Sequence, residues 1–551
     1  MRWRVVVAAC VLPFAAAASE GASAWYVNAD AAPGGNGSRS HPFTTLEQVE
    51  NASKPGDIIR IVPSSRALDG GIQLKDSQRL IGLGDAVTKA ATGAGPTVTN
   101  TSAARYSGDA IRLARNNLVE NIHVDGAARA GIFGVNAGRA ELRGNLITNN
   151  MIQGNDLRRL ERLWPDGFVL YQSQGNHFAA ITLLACGPGG SSYCAKHSQA
   201  AAAIDGGDVV IANNVIRDSN LEGIMLLTDT GAVARFAVTD TVVRDLSLNL
   251  PRPESLNPPA GIVRSRAFTL IALNHSQVNL TLSRFHAENL SPAGNYATDG
   301  IVFLTGGDSP VVNARISDTA VLNPRLVGEV NNGDSIEIQH RGTTNGVINI
   351  DMTRLELRDP ASANIKILEA ANPTNGVYNL TLTDSVLSNA NPAGGLDGQI
   401  RLSGASNGTK AFTLAVTNTK FSGFGGAIGL LNANNIGTLN VRVENSSLSD
   451  FTAPAGAKPI AAITVTQPGD KTIGAAVIDL GGGPLGSRGR NRLVTNTGLA
   501  VAVTNANAST APIRVDAAGN YWGGGRPDVT VSGNVMFTVP KYVTTDPASR
   551  Q

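Results

Sequence analysis

Short runs of alternating apolar and polar residues recur along this chain, most of them opened by a small or acidic residue followed by a small one. They read Asp109-Ala110-Ile111-Arg112-Leu113, Ala130-Gly131-Ile132-Phe133, Asp166-Gly167-Phe168-Val169-Leu170, Glu222-Gly223-Ile224-Met225-Leu226 and Ala260-Gly261-Ile262-Val263. The series continues as Asp299-Gly300-Ile301-Val302-Phe303, Asp334-Ser335-Ile336-Glu337-Ile338, Asn364-Ile365-Lys366-Ile367, Gln399-Ile400-Arg401-Leu402 and Ala427-Ile428-Gly429-Leu430. A period of two over so few residues predicts strands with one buried face. Asn, Asp, Gly and Ser crowd the intervals, as in Asn331-Asn332-Gly333. These residues tolerate the left-handed backbone of sharp corners.

Most successive copies start 21 to 39 residues apart, and further strand-like runs such as Val278-Asn279-Leu280-Thr281-Leu282 lie between them. A chain that makes two or three short strands per repeat buries its Ile, Leu and Val only by stacking each coil on the next. The pattern therefore predicts an all-β, single-stranded, right-handed parallel β-helix solenoid. So variable a spacing argues against a propeller or a sandwich. One short amphipathic helix is predicted near Phe43 to Ala52. The expected organisation is a signal peptide at 1–24, an N-terminal cap and first coils at 25–104, helical coils at 105–505 with loop insertions at 171–203 and 247–259, and a closing segment at 506–551.

The first residues change the compartment expected of the chain. A basic start at Arg2 and Arg4, an apolar run from Val5 to Ala18 and the small residues Ala22-Ser23-Ala24 predict a secretory signal cleaved after Ala24. No stretch reaches the ~20 apolar residues of a membrane span. Of three cysteines, Cys10 leaves with the signal. Cys186 and Cys194 flank a Gly-rich loop, and an oxidising compartment permits a disulfide between them. The mature chain is secreted, or held in the periplasm or at the cell surface. With 43 basic and 42 acidic residues left after residue 24, nothing suggests a nucleic-acid partner.

Two segments resemble secreted proteins of the pectate-lyase-like β-helix superfamily. At the entry these are Trp25-Tyr26-Val27-Asn28, Gly34-Gly35-Asn36-Gly37-Ser38, His41-Pro42-Phe43-Thr44-Thr45-Leu46 and Lys54-Pro55-Gly56-Asp57-Ile58-Ile59; at the exit, Gly519-Asn520-Tyr521-Trp522-Gly523, Pro527 and Asp546-Pro547. The resemblance marks caps and coils and no active site. It implies a polysaccharide partner and leaves lyases, glycosidases, epimerases, esterases and adhesins open, because fold is weak evidence for chemistry. Oligomeric state stays open as well.

Stacked coils place equivalent residues in columns ~4.8 Å apart. The residue after each recurring Ile or Phe forms one such column: Arg112, Phe133, Val169, Met225, Val263, Val302, Glu337, Lys366, Arg401, Gly429. Its outward apolar middle implies a cover, for which the insertions 171–203 and 247–259 are the candidates, with a groove beginning at Glu337. Proton removal next to a uronate carboxylate needs a base of lowered pKa and a cation. Lys366 and Arg401, on neighbouring coils of this column, suit those roles, and the resemblance implies an Arg or Lys base; His340 and Arg341 just beyond are candidate substrate contacts. It also allows a calcium ion, for which Asp334 and Glu337 supply oxygen ligands. No cofactor is required by the sequence.

A second column, one step before each strand, holds Glu222, Asp299 and Asp334, and the pair Asp299 and Asp334 is the acid/base set of an alternative glycosidase reading. That reading requires the two carboxyls to face one groove and fails if both turn to backbone amides. Each constellation has a plain structural alternative. The charged column is equally an exposed ladder of opposite charges, and the acidic column a set of turn caps, since Asp109 and Asp166 sit in the same place. Trp164, Tyr171, Tyr193 and Tyr296 suit sugar stacking or local packing. A non-catalytic adhesion solenoid is the main alternative to the uronate lyase.

Overall fold

The computed structural model describes residues 21–547 apart from 87–94, 102–104, 150–178, 188–204, 220–221, 247–263, 291–296, 325–332, 342–344, 370–374, 391–397, 405–409, 432–435, 453–460, 468–471, 495–499, 508–510, 526 and 539–541. Its strands form three all-parallel sheets, which we call I, II and III, of 16, 11 and 14 strands. The chain visits them in rotation, I to II to III, and wraps into a right-handed parallel β-helix. Sheet I runs unbroken from Ala24–Val27 to Val535–Thr538, so the expected cap and closing segments contribute strands to the same stack.

The alternating pattern explains the packing. In sheet III the inward column reads Ile181, Ile224, Phe268, Ile301, Ile336, Ile365 and Ile400, paired coil on coil. All are fully buried in one continuous aliphatic core. Each such side chain contributes ~1.5–3 kcal/mol of apolar burial. The helix Leu46–Ala52 closes the N-terminal end with Leu46 and Val49, and a capping box of Thr45 and Gln48 starts it.

Sheets I and II are joined in ten successive coils by two-residue turns. Their first residues, Asn121, Gly144, Asn213, Asp240, Arg284, Asp318, Arg354, Asp384, Asn418 and Asn445, all have φ between +49° and +60°. The second is often Ser or Thr, whose hydroxyl donates to the carbonyl two residues back, as from Thr241 to Thr239 (2.9 Å) and Ser385 to Thr383 (2.8 Å). The connections on either side of sheet III are longer.

The end motifs have structural roles. Asp57 accepts hydrogen bonds from Ser23 N, Trp25 Nε1 and Lys54 N at 2.8–2.9 Å, tying the first strand to the Pro-Gly-Asp turn. Asn520 accepts from the Asn491 side chain at 3.0 Å inside the stack, and Trp522 packs on the core.

Candidate functional site

Sheet III carries the charged side chains on the face opposite its aliphatic column. The corners that present them need small residues. A Cβ on Gly300 would lie 2.4 Å from Val321 Cγ1 and 2.5 Å from the Ser335 carbonyl, and one on Gly223 would lie 2.6 Å from Val243 Cγ1. The chain therefore presses Gly against the neighbouring sheet, and the preceding acid falls on the outer side.

Register brings the two expected columns together. Glu222 pairs with Arg266, and Arg266 with Asp299. Asp334 precedes Ile336 as Asp299 precedes Ile301, and these two isoleucines are partners. Alongside run Met225, Thr269, Val302, Glu337, Lys366 and Arg401, one per coil. The expected Val169 and Val263 lie outside the described residues. Their places are taken by Thr182 of the strand Ala179–Cys186 and Thr269 of the strand Arg264–Leu273. Glu222, Asp299, Asp334 and Glu337 are 1% exposed, Arg266 2% and Lys366 8%. This is no exposed ladder. Loops 171–203 and 247–259, except for Ala179–Gly187 within the first, lie outside the described residues, as do Trp164, Tyr171, Tyr193 and Tyr296.

Asp334 joins the set through both oxygens. Oδ1 accepts from Ala363 N at 2.9 Å and Oδ2 from Lys366 Nζ at 3.1 Å. Asp299 Oδ1 accepts from Asp334 N at 3.3 Å, while its Oδ2 lies 3.5 Å from Arg266 Nε. Each acid of the proposed pair thus gives one oxygen to a backbone amide, as a turn cap does, which counts against the glycosidase pair; the other oxygen turns toward a cation, so neither carboxyl is spent on the cap alone. Asp109 does likewise, with Ala130 N, Arg112 and Arg129 as partners. Asp299, Asp334 and Glu337 go further: one oxygen from each lies within 4.8 Å of the others.

Burial pushes the Asp334 carboxyl up, against the pull of Lys366 and with the push of Asp299. Glu222, wholly buried with Arg266 Nη1 standing off at 3.6 Å, is pushed up to about 7 by burial. Burial disfavours the Lys366 ammonium, but the carboxylates of Asp334, Glu337 and Asp299 outweigh it and raise its pKa. A lysine base needs the opposite shift. Lys366 is a held cation, which corrects the expectation of a catalytic base there. Arg401 lies beside it in register and is half-buried.

His340 is also corrected. Counting by twos from Ile336 and Ile338 turns it into the core. There it is fully buried, hydrogen-bonded to Thr305 Oγ1, with its ring 4.4 Å from that of Tyr378. Burial lowers its pKa to about 4. It faces no substrate. Arg341 ends the strand Ile336–Arg341, and its side chain lies outside the described residues. Three carboxylates suit calcium by donor type, but Lys366 holds one Asp334 oxygen and Arg266 stands beside Asp299. The set is better matched to those two cations than to a divalent ion. Cys186 is buried at the end of its strand, and Cys194, its expected disulfide partner, lies outside the described residues.

The member of this cluster that the repeat as read does not include is Arg266. Its run Arg266-Ala267-Phe268-Thr269-Leu270 fits the pattern with a cation in the acidic place, six residues after Ala260-Gly261-Ile262-Val263.

No family model matches the chain, and no curated protein matches it. Solved structures with which it aligns include DFA-IIIase from Arthrobacter chlorophenolicus without its lid, at 12% identity over 94% of this chain and 93% of that one, with a TM-score of 0.26. A GH136 lacto-N-biosidase from Eubacterium ramulus aligns at 10% identity over 80% and 65%, with a TM-score of 0.32. The catalytic domain of a GH87 alpha-1,3-glucanase in complex with nigerose aligns at 10% identity over 91% and 66%, with a TM-score of 0.28. Likeness at this level carries no argument about chemistry.

Proposed function

We propose that this chain is an exported carbohydrate-processing protein that cleaves a glycosidic bond by acid–base catalysis at Asp299, Asp334 and Glu337. The observation that supports this is the crowding of three buried carboxyls within 4.8 Å, with Asp334 pushed up by burial. Carboxylates so close share a proton, because like charges at that distance resist full ionisation. A protonated carboxyl beside an ionised one is the set that glycoside cleavage uses. Asp334 is the acid. Asp299 or Glu337 is the ionised partner, as base or nucleophile.

Seven charged groups, Glu222, Arg266, Asp299, Asp334, Glu337, Lys366 and Arg401, also form a costly way to build a sheet. Desolvated ion pairs are seldom more stable than apolar packing of the same shape, and buried clusters of shifted groups concentrate at functional sites. β-Elimination from a uronate is less well served, since Lys366 is held as the ammonium. A non-catalytic glycan-binding solenoid is the second reading, favoured by the 1% exposure of the carboxyls.

The test is to incubate the purified protein with neutral and acidic polysaccharides and follow both reducing ends and unsaturated-uronate absorbance. Hydrolysis predicts new reducing ends without absorbance, lost ~10²–10⁴-fold in Asp334→Asn. Rising absorbance would instead establish a lyase. Silence in both assays would leave the binding solenoid.

A further inference from the structure

We infer that the outer face of sheet I carries a second site, a groove that binds one extended, uncharged polysaccharide chain along the solenoid axis. The strands Gln277–Ser283, Val311–Ser317, Val347–Thr353 and Val377–Thr383 pair without a register shift. This places Asn279, Asn313, Asn349 and Asn379 in one outward column. Each later amide donates to the one before it: Asn313 to Asn279 at 3.2 Å, Asn349 to Asn313 at 2.8 Å, and Asn379 to Asn349 at 2.8 Å. An amide has two N–H groups and two acceptor lone pairs. Each inner rung uses one of each on the ladder and keeps one donor and one acceptor for the groove. The rungs repeat every ~4.8 Å, close to the rise of one sugar unit in an extended chain.

The groove encloses 570 Å³ and draws its lining from five coils, Asp208 through Asp351. Spread over four spacings of ~4.8 Å, or about 19 Å, the groove is long and open, a shape that suits a single extended polymer strand. The charged lining residues Asp208, Arg235, Arg315 and Asp351 sum to zero, and Arg235 pairs with Asp208 at 3.0 Å. A polyanion therefore gains nothing from long-range attraction. Arg315 is exposed in the column beside the ladder, between Thr281 and Asp351, and its guanidinium forms no ion pair or hydrogen bond with the described residues. Its fork of donors is free for hydroxyls. The aromatic lining residue Phe236 is 3% exposed in the core, so recognition rests on hydrogen bonds. This groove and the carboxyl cluster lie on different sheets, and neither proposal depends on the other.

The experiment is native affinity electrophoresis of the full chain through gels containing uncharged glucans, mannans or fructans, with polyuronate as the charged comparator. Retardation is expected with at least one uncharged polymer, unchanged by added salt and by Asp334→Asn. Arg315→Ala and the double variant Asn313→Ala/Asn349→Ala are expected to weaken it at least 10-fold, with unaltered circular dichroism. Arg315→Ala alone decides the matter if the double variant misfolds. Retardation by polyuronate only, by none of the polymers, or to the same extent in Arg315→Ala overturns the inference.

Discussion

Replacing Lys366 by Met isolates the electrostatics of the buried cluster. The ammonium lies 3.1 Å from Asp334 Oδ2, and the two side chains are 11% and 1% exposed. Removing one member of such a pair costs ~3–5 kcal/mol while the orphaned carboxylate stays charged. Asp334 escapes that cost by taking a proton, and burial already pushes it that way. The variant's folded carboxyl then titrates well above the unfolded one. The folded state keeps a proton that the unfolded state has released, so stability is retained at low pH and lost as pH rises, at up to ~1.4 kcal/mol per unit. Lys366→Met should cost more at pH 8 than at pH 5, with the charged-orphan cost of ~3–5 kcal/mol as its upper limit. Urea unfolding followed by circular dichroism at the two pH values measures both. Adding Asp334→Asn removes the orphan and should recover most of the loss at pH 8, as a double-mutant cycle. An equal loss at both pH values, or no recovery in the double variant, would refute this account.

Three further outcomes are expected. Glu222, held up at about 7 against a usual 4.5, makes the fold less stable as pH rises between those values; Glu222→Gln should remove that slope, worth about 3 kcal/mol, in the same urea measurements. His340, depressed from 6.5 to about 4, acts in the opposite sense, with stability present above 6.5 and lost as pH falls toward 4; nuclear magnetic resonance should find its ring neutral at pH 5. Asp57→Ala deletes three hydrogen bonds to one carboxylate and should cost about 3 kcal/mol, seen as early proteolysis near the first coil and exposure of Trp25 to quenchers; a protease-resistant variant would show that the turn does not hold the entry strand.

The solenoid was legible because a period of two with aliphatic residues inward leaves little else to build, and the same periodicity correctly aligned Glu337, Lys366 and Arg401. His340 was misplaced although the signal was present, since it shares parity with Ile336 and Ile338. Arg266 was hidden for another reason. Two neighbouring stretches both fit a degenerate repeat, and only pairing with Glu222 and Asp299 chooses between them. The protonation of Lys366 could not be read at all. Its direction depends on burial opposing three carboxylates contributed by other coils, a balance of distances that no one-dimensional pattern contains.

Location rather than residue type separates the chemically poised charges from the idle ones. Aspartate–arginine pairs also decorate the turns between sheets I and II, where Arg284 meets Asp240 and Arg354 meets Asp318 at 2.5 Å, with 36–57% of each side chain exposed. Water screens such pairs, and they contribute ~0–1 kcal/mol. Two-residue turns leave those edges open because nothing is long enough to cover them. The longer connections flank sheet III, and there both faces of the strand Glu222–Asp229 are buried at every position. A carboxyl placed on that face loses its water, and its proton affinity rises. The acid that opens the repeat is neutralised by Arg112 and Arg129 at Asp109, whereas at Asp334 burial and the neighbouring Asp299 outweigh Lys366 and raise its proton affinity. For this architecture, the connections that bracket a sheet identify where chemistry can arise before any catalytic motif does.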